Sequence, residues 1–440
     1  MLPAALVPRL RKQLRRLRRP ALHRTREKEM SERRLVLSAR PAHVSLELTS
    51  RCNLECVHCR RFHVREEVSA VRGVYGEQGV TNVVGDSGYL APRVFERVID
   101  LVRDADTVEL AGYGEPMMNP HFFDYVAELK ARGHHLNTIT NGTLLTEANV
   151  RKLVDHRFDL VSVSVDGYER DTLEVVRGLD RDKLFAGLER LQAEKARRGL
   201  GRDAPPRLSV SMVMARFNVR EMPALVRHLD TLGLWSFYAQ NLEVVNAADV
   251  LGPQLVYTDP AVRAETVAIV REVEEYCAAR GIRTDIQPIP HAGHGWEPPG
   301  PPLSGALDAL KGAMGPRPTE RRYLPLAEIE ARQGQAAERY ARERAAAPRG
   351  VLPPVETAEL QRLGAAAREE NARCLDFFRY AFVAWNGKVL SCCFERYPVG
   401  DLNVAGADEV WNGAEYRRLR RAYHEQGIRS VCDGCSKILA

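Results

Sequence analysis

His43-Val44-Ser45-Leu46-Glu47-Leu48 runs directly into Thr49-Ser50-Arg51-Cys52-Asn53-Leu54-Glu55-Cys56-Val57-His58-Cys59. The first part reads as a strand. The loop after it spaces three cysteines as C-x3-C-x2-C. Thiolates are the soft ligands that hold iron–sulfur clusters, and three of them on one loop suit three irons of a [4Fe–4S] cube. One iron is then left without a protein ligand. A site short of one ligand can take a substrate or cofactor directly, whereas a closed site is structural. The competing explanation is a zinc site with His58 as fourth ligand. The position of the loop, straight after the first strand of a repeating pattern, favours the cluster.

Outward from that strand, short apolar, β-branched runs alternate with amphipathic helical patterns, which is how the βα units of a parallel sheet read. Further strands are predicted at 107–111, 135–140, 160–165, 208–214 and 235–245, with helices at 92–104, 121–132, 147–156, 183–199 and 219–232. Six units are too few to close an eightfold barrel. The expected fold is therefore α/β, a partial (β/α)6 TIM-like barrel with its chemistry at the C-terminal strand ends. A basic segment (1–40) precedes this core (41–250). A connecting region (251–372) follows, with a charged helix at 261–281, a Pro/Gly-rich break at 287–305 and an Ala/Glu/Arg-rich stretch beyond it. His291 and His294 in that break read as solvated loop residues. The last unit (373–440) reads as a small α+β iron–sulfur module: a hairpin turning at Asn386-Gly387 with both residues at positive φ, a helix at 408–426, and a knuckle at Cys432-Asp433-Gly434-Cys435. Some seventy residues bury too little surface to be secure alone, so a metal centre is expected to hold it.

Composition limits the alternatives. No apolar run reaches eighteen residues and no signal sequence opens the chain, so a cytoplasmic protein without a transmembrane segment is expected. Nine cysteines are too few for a disulfide scaffold, yet eight of them fall in two groups, which points to metal ligation. Cys277 stands apart in a helical pattern and is expected to be a buried thiol. The net charge of +6 misleads, because residues 1–34 hold twelve Lys or Arg against three Glu. The remaining chain has 52 basic and 55 acidic residues, a net of about −3, so its body is no nucleic-acid binder. Leu6, Leu10, Leu14 and Leu17 recur at helical spacing among arginines, but a frayed basic tail is expected there.

The cysteine loop resembles the signature of the radical S-adenosylmethionine (SAM) superfamily. The resemblance implies that SAM completes the open iron and is cleaved by the reduced cluster to a 5′-deoxyadenosyl radical, with His58 beside the adenine. Ala111-Gly112-Tyr113-Gly114-Glu115-Pro116 is similar to the segment that binds the SAM amino group, with Tyr113 in place of a small residue. Glycines Gly112 and Gly114 let backbone approach a ligand, and Glu115 offers a counter-charge. Thr140-Asn141-Gly142 and Ser164-Val165-Asp166-Gly167 resemble segments near the SAM ribose and carboxylate. Arg177 matches an arginine that pairs with the carboxylate through its planar fork.

Cys374, Cys392, Cys432 and Cys435, with Gly387 in the hairpin, look like the auxiliary-cluster module called SPASM, or its shorter twitch form. This implies one auxiliary [4Fe–4S] cluster closed by four thiolates and suited to passing an electron; a structural zinc is the competing explanation. Cys393 is a spare thiol, an alternative ligand to Cys392, or a hydrogen-atom donor. The expected activity is that of a radical SAM oxidoreductase or epimerase. It would abstract hydrogen from an unactivated C–H bond of a small polar natural product of sugar or aminocyclitol type, with flavodoxin or ferredoxin as electron donor. Two rivals remain: a ribosomal peptide maturase of the SPASM type acting on a peptide substrate, and a non-catalytic metal-stabilised binding protein.

Overall fold

The computed structural model describes residues 6–59, 88–244, 251–290, 303–314, 376–392 and 398–427. Cys374, Cys393, Cys432, Cys435, His291 and His294 lie outside the described residues. Ten strands form one sheet: β1 (His43–Leu46), β2 (Thr107–Leu110), β3 (His135–Thr140), β4 (Leu160–Ser164), β5 (Arg207–Met214), β6 (Leu234–Asn241), β7 (Arg283–Ile286), β8 (Tyr380–Val383), β9 (Lys388–Leu390) and β10 (Gly400–Asp401). Their spatial order is β10-β9-β8-β1-β2-β3-β4-β5-β6-β7. The six expected strands stand within a few residues of their predicted limits, all parallel and in sequence order.

Two further parallel strands extend that core. β7, inside the region read as a connector, pairs parallel with β6. It is short and polar (Arg-Thr-Asp-Ile), so it carries no apolar run to betray it. β8, from the C-terminal module, pairs parallel with β1 on its other edge, in register His43↔Tyr380 through Leu46↔Val383. The module thus continues the barrel sheet, and the turn after β8 opens on the same side as the cysteine loop after β1.

The two faces of the sheet differ. Val108, Leu110, Leu136, Val161, Val163, Val210, Phe237 and Ala239 are buried. On the alternate positions Glu109, Asn137, Ser162, Ser164, Ser211, Tyr238 and Gln240 are only half-buried, while Ile139 is exposed. Successive side chains of a strand point to opposite faces, so one face belongs to the apolar core and the other is open and largely polar.

Three expectations are corrected. The N-terminal segment is no frayed tail: Leu6–Ser31 is a helix, and Arg26 and Glu29 within it are buried. Arg26 donates to the carbonyls of Arg40 (3.0 Å) and Asp104 (2.9 Å), and Ser38 N–H donates to Glu29 Oε1 (2.7 Å). Side-chain hydrogen bonds that periodicity cannot show fix the segment. In the hairpin Gly387 alone takes positive φ (82°). Gly387 N–H donates to Ala384 O (2.9 Å) and Ala384 N–H to Lys388 O (2.8 Å). That is a three-residue loop with a bulged glycine, which needs one left-handed residue where a two-residue loop needs two. The expected helix at 408–426 is broken into Ala407–Trp411 and Ala414–Gln426. At the break Asn412 turns its amide to the chain's other end: Leu37 N–H donates to Oδ1 (2.9 Å) and Nδ2 donates to Leu37 O (3.0 Å). Trp411, fully buried, donates its indole N–H to Ala39 O (2.9 Å), and Arg420 donates to Leu35 O (2.9 Å). The segment before β1 and the C-terminal helices clasp each other.

Candidate active site

The cysteine loop leaves β1 at the C-terminal strand ends. Thr49 bonds Gly88 O through its hydroxyl (2.8 Å) and receives Arg51 N–H (3.0 Å). Glu115 N–H, after β2, donates to Arg51 O (2.7 Å). Gly114 presses on this loop so closely that a Cβ there would stand 2.1 Å from Thr49 O, which is why only glycine fits. Val57 N–H donates to Val176 O (2.8 Å) at the end of the helix Arg170–Arg177, which pins the far side of the loop. Sequence reading did not anticipate that short helix.

Cys56 is buried; Cys52 and Cys59 are half-buried. Burial pushes the Cys56 thiol up to about 12, against the Arg177 guanidinium, which pulls it down. The sulfur of Cys52 receives Leu54 N–H (3.4 Å) and the Asn141 amide (3.6 Å). Asn141 also donates to Asn53 Oδ1 (2.8 Å), Asn53 to Thr143 Oγ1 (2.8 Å), and Thr143 Oγ1 back to Asn141 Oδ1 (2.6 Å). This ring fixes the orientation of the loop against the end of β3.

Asp166, after β4, is 1 % exposed and ties three elements together. Oδ1 accepts Val213 N–H from β5 (2.7 Å), while Oδ2 meets His58 Nε2 (3.2 Å) and Arg177 Nη1. Burial pushes its carboxyl up, but Arg177 and then His58 outweigh burial and hold it below the carboxylate range. Burial lowers Arg177, and Cys56 and Asp166 more than offset it, so the guanidinium stays charged. His58 Nδ1 and Arg177 Nε remain buried without a hydrogen-bond partner among the described residues. Ser164 Oγ lies 3.3 Å from Ser211 Oγ.

Glu115 is 2 % exposed. Oε1 accepts from Thr140 Oγ1 (2.8 Å) and Met117 N–H (3.4 Å), and Oε2 from Asn141 N–H (2.8 Å). Burial outweighs these donors and raises its carboxyl to about 7. Sequence reading missed Glu47. It is wholly buried, receives Tyr113 N–H on Oε1 (2.9 Å) and Trp385 N–H on Oε2 (3.3 Å), and lies under Gly112. Its signal was a glutamate on the polar side of a strand whose both sides are buried. Elsewhere, Cys392 is buried just past β9, at the end of the hairpin away from the Trp385 turn. Cys277 is 0 % exposed in the helix Pro260–Arg280, and burial raises its thiol to about 11. A core thiol of that kind is a poor hydrogen donor to a substrate at the strand ends.

These residues fit a cluster with an exogenous ligand. A cube spreads its thiolates over separate corners, and Cys52, Cys56 and Cys59 offer three from one loop. The buried Arg177 supplies a counter-charge to thiolates. The orphaned nitrogens of Arg177 and His58 call for an acceptor that the described residues do not provide. A partial barrel with three thiols at its strand ends, backed by buried carboxylates and one buried cation, defines an iron–sulfur enzyme that binds a polar cofactor at an open iron.

Comparison with known proteins agrees. The radical SAM superfamily profile matches residues 46–229, and an iron–sulfur cluster-binding domain of the SPASM type matches residues 374–436. The chain thus carries a radical SAM domain and, C-terminal to it, a SPASM iron–sulfur domain. The first domain implies a [4Fe–4S] cluster and SAM, the second auxiliary iron–sulfur. A tungsten-containing aldehyde ferredoxin oxidoreductase cofactor-modifying protein of Pyrococcus furiosus is 30% identical over 203 residues, 45% of this chain and 50% of that protein. An AdoMet-dependent heme synthase of Methanosarcina barkeri is 29% identical over 36% of this chain and 41% of its own length. A PqqA peptide cyclase of Granulibacter bethesdensis is 24% identical over 44% of this chain and 45% of its own. The chain spans half or less of these relatives. Among solved structures, Streptococcus suis SuiB bound to S-adenosylmethionine superposes with a TM-score of 0.53 at 14% identity, covering 92% of this chain and 74% of that one. This likeness concerns the fold. No described helix is long and apolar enough to cross a membrane.

Proposed function

We propose that the protein is a radical SAM oxidoreductase or epimerase acting on a C–H bond of a small polar molecule of sugar or aminocyclitol type. The observation that carries this reading is the half-open polar face of the sheet, on which Ser164, Ser211, Tyr238 and Gln240 alternate with buried apolar residues. Hydroxyls and an amide there offer a polyhydroxylated ligand the paired donors and acceptors that it needs when desolvated.

Cys52, Cys56 and Cys59 hold the first cluster, and Cys374, Cys392, Cys432 and Cys435 hold one auxiliary cluster. When bound, these groups and SAM supply a hydrogen-abstracting radical and an electron acceptor. The chain's own residues place the cofactor. Glu115 accepts from the SAM amino group and Arg177 Nε donates to its carboxylate. His58 and Ser164 border the nucleoside, with Gly112 and Gly114 giving the backbone room. Asp166 acts through Arg177 and His58, which it holds in place. Asn141 acts through Cys52. A flavodoxin or ferredoxin delivers the electron.

A second reading, peptide maturation, draws support from the likeness to a PqqA peptide cyclase. Anaerobically reconstituted protein, given SAM, a reductant and either candidate sugars or peptides, separates the two by product mass. Tyr238→Phe and Gln240→Ala are expected to slow sugar turnover at least tenfold while SAM binding holds. Modification of peptides alone would reject the first reading. With Cys432→Ala, SAM cleavage should persist and net oxidation stop; undiminished oxidation would remove the electron-accepting role.

A further inference from the structure

Glu47 belongs to no role assigned so far. It follows β1, its side chain is wholly buried, and its own N–H is spent on Val383 O (2.9 Å) of β8. Its carboxylate receives one backbone N–H from each of two turns that are remote in sequence: Tyr113, in the turn after β2, and Trp385, in the turn after β8. Contact on both sides is tight. A Cβ on Gly112 would stand 2.4 Å from Glu47 Cγ, and one on Gly88 would stand 2.1 Å from the Trp385 ring. Gly88 in turn accepts the Thr49 hydroxyl at the root of the cysteine loop.

A buried carboxylate is tolerated only while its hydrogen bonds are made, so a turn that moves away leaves it under-satisfied and less able to stay ionised and hold the other turn. Both donors here are backbone groups, so each turn is fixed as a whole by the same acceptor. We propose that Glu47 is a positioning residue that couples the 112–116 turn to the Trp385 turn, so that SAM seated on the first tightens the C-terminal module and a docked module tightens SAM's seat. The proposal rests on the reading of 112–116 as the SAM amino-group turn. Reciprocity follows from linkage: whatever one site gains from the other's occupancy, the other gains equally.

The test uses the full-length, reconstituted holoprotein under anaerobic conditions. Hydrogen–deuterium exchange with and without SAM should show protection of 112–116 and also of β8 and β9, and Glu47→Gln should lose the protection of the strands. Trp385→Pro removes the turn's N–H at a position that favours proline in such turns, whereas Trp385→Ala keeps it. SAM should bind the proline variant about fivefold more weakly than the alanine variant, the typical worth of one such hydrogen bond. Protection of 112–116 alone, or equal affinities of the two Trp385 variants, would overturn the coupling while leaving the SAM turn in place. Protection of neither region would overturn both.

Discussion

The Glu115 carboxyl, raised by burial to about 7, makes SAM affinity depend on pH in a window where few carboxylates titrate. Only the ionised form can accept from the SAM amino group on top of its three internal donors. Below about 7 a proton must leave before SAM binds, so affinity should fall by about tenfold for each unit of pH. Binding at pH 6 is expected to be about tenfold weaker than at pH 8. The same shift sets the stability of the protein without SAM. The folded pKa lies above the unfolded one, so the folded state holds the extra proton between about 4.5 and 7 and loses stability as pH rises through that window. Glu115→Gln, near-isosteric and uncharged, should weaken SAM roughly ten- to a hundredfold at pH 8, the loss of one charge-assisted hydrogen bond. It should also remove the carboxylate's step, leaving whatever slope belongs to SAM itself. Equilibrium dialysis of SAM against the reconstituted protein from pH 5.5 to 8.5 measures both. Superimposable profiles for the wild type and Glu115→Gln would refute the assignment.

Other consequences can be checked singly. Gly114→Ala drives a Cβ against two backbone carbonyls, at 2.1 and 2.5 Å, so the turn must leave the cysteine loop; iron content at the first site should collapse on reconstitution. Asn141→Ala removes an N–H from the Cys52 sulfur, and because such donors favour the reduced cluster, the midpoint potential followed by EPR should move to more negative values. Arg177→Lys keeps the charge facing Asp166 but lacks the planar fork that leaves Nε for a ligand, so SAM affinity should fall about tenfold with little change in melting temperature. Trp411→Ala empties a fully buried site and unhooks Ala39 O, and chemical denaturation should show a loss of about 3–5 kcal/mol.

The parallel core was legible because its strands carry apolar runs and its helices an apolar stripe. The cysteine loop was legible because three thiols at fixed spacing leave few other readings. Polar contacts between distant segments were not. Arg26, Asn412 and Arg420 look like ordinary surface residues in sequence, yet Arg26 ties the N-terminal helix to Arg40 and Asp104, and Asn412 and Arg420 clasp the segment before β1 to the C-terminal helices. β7 was hidden for the same reason, since a polar edge strand has no pattern of its own. The roles proposed for Glu115 and Arg177 rest on resemblance alone. That Asp166 holds Arg177 and His58 depends on which turns come to lie side by side.

The buried carboxylates share one geometry, and it accounts for how a partial barrel keeps a precise rim. Glu47 after β1 receives N–H groups from the turns after β2 and β8; Glu115 after β2 receives Asn141 N–H after β3; Asp166 after β4 receives Val213 N–H on β5. Each carboxylate therefore leans from one strand end to a neighbouring one and accepts from backbone there. An open sheet lacks the closure that fixes the rim of a full barrel, and these links replace it one gap at a time. Donors supplied by backbone cannot rotate away as side chains do, which keeps ligand-facing groups within the narrow tolerance that a radical site demands. The same links explain why the C-terminal module enters as a strand beside β1 rather than as a separate lobe. Only there can its first turn reach Glu47, and through Glu47 the turn on which the cofactor is proposed to sit.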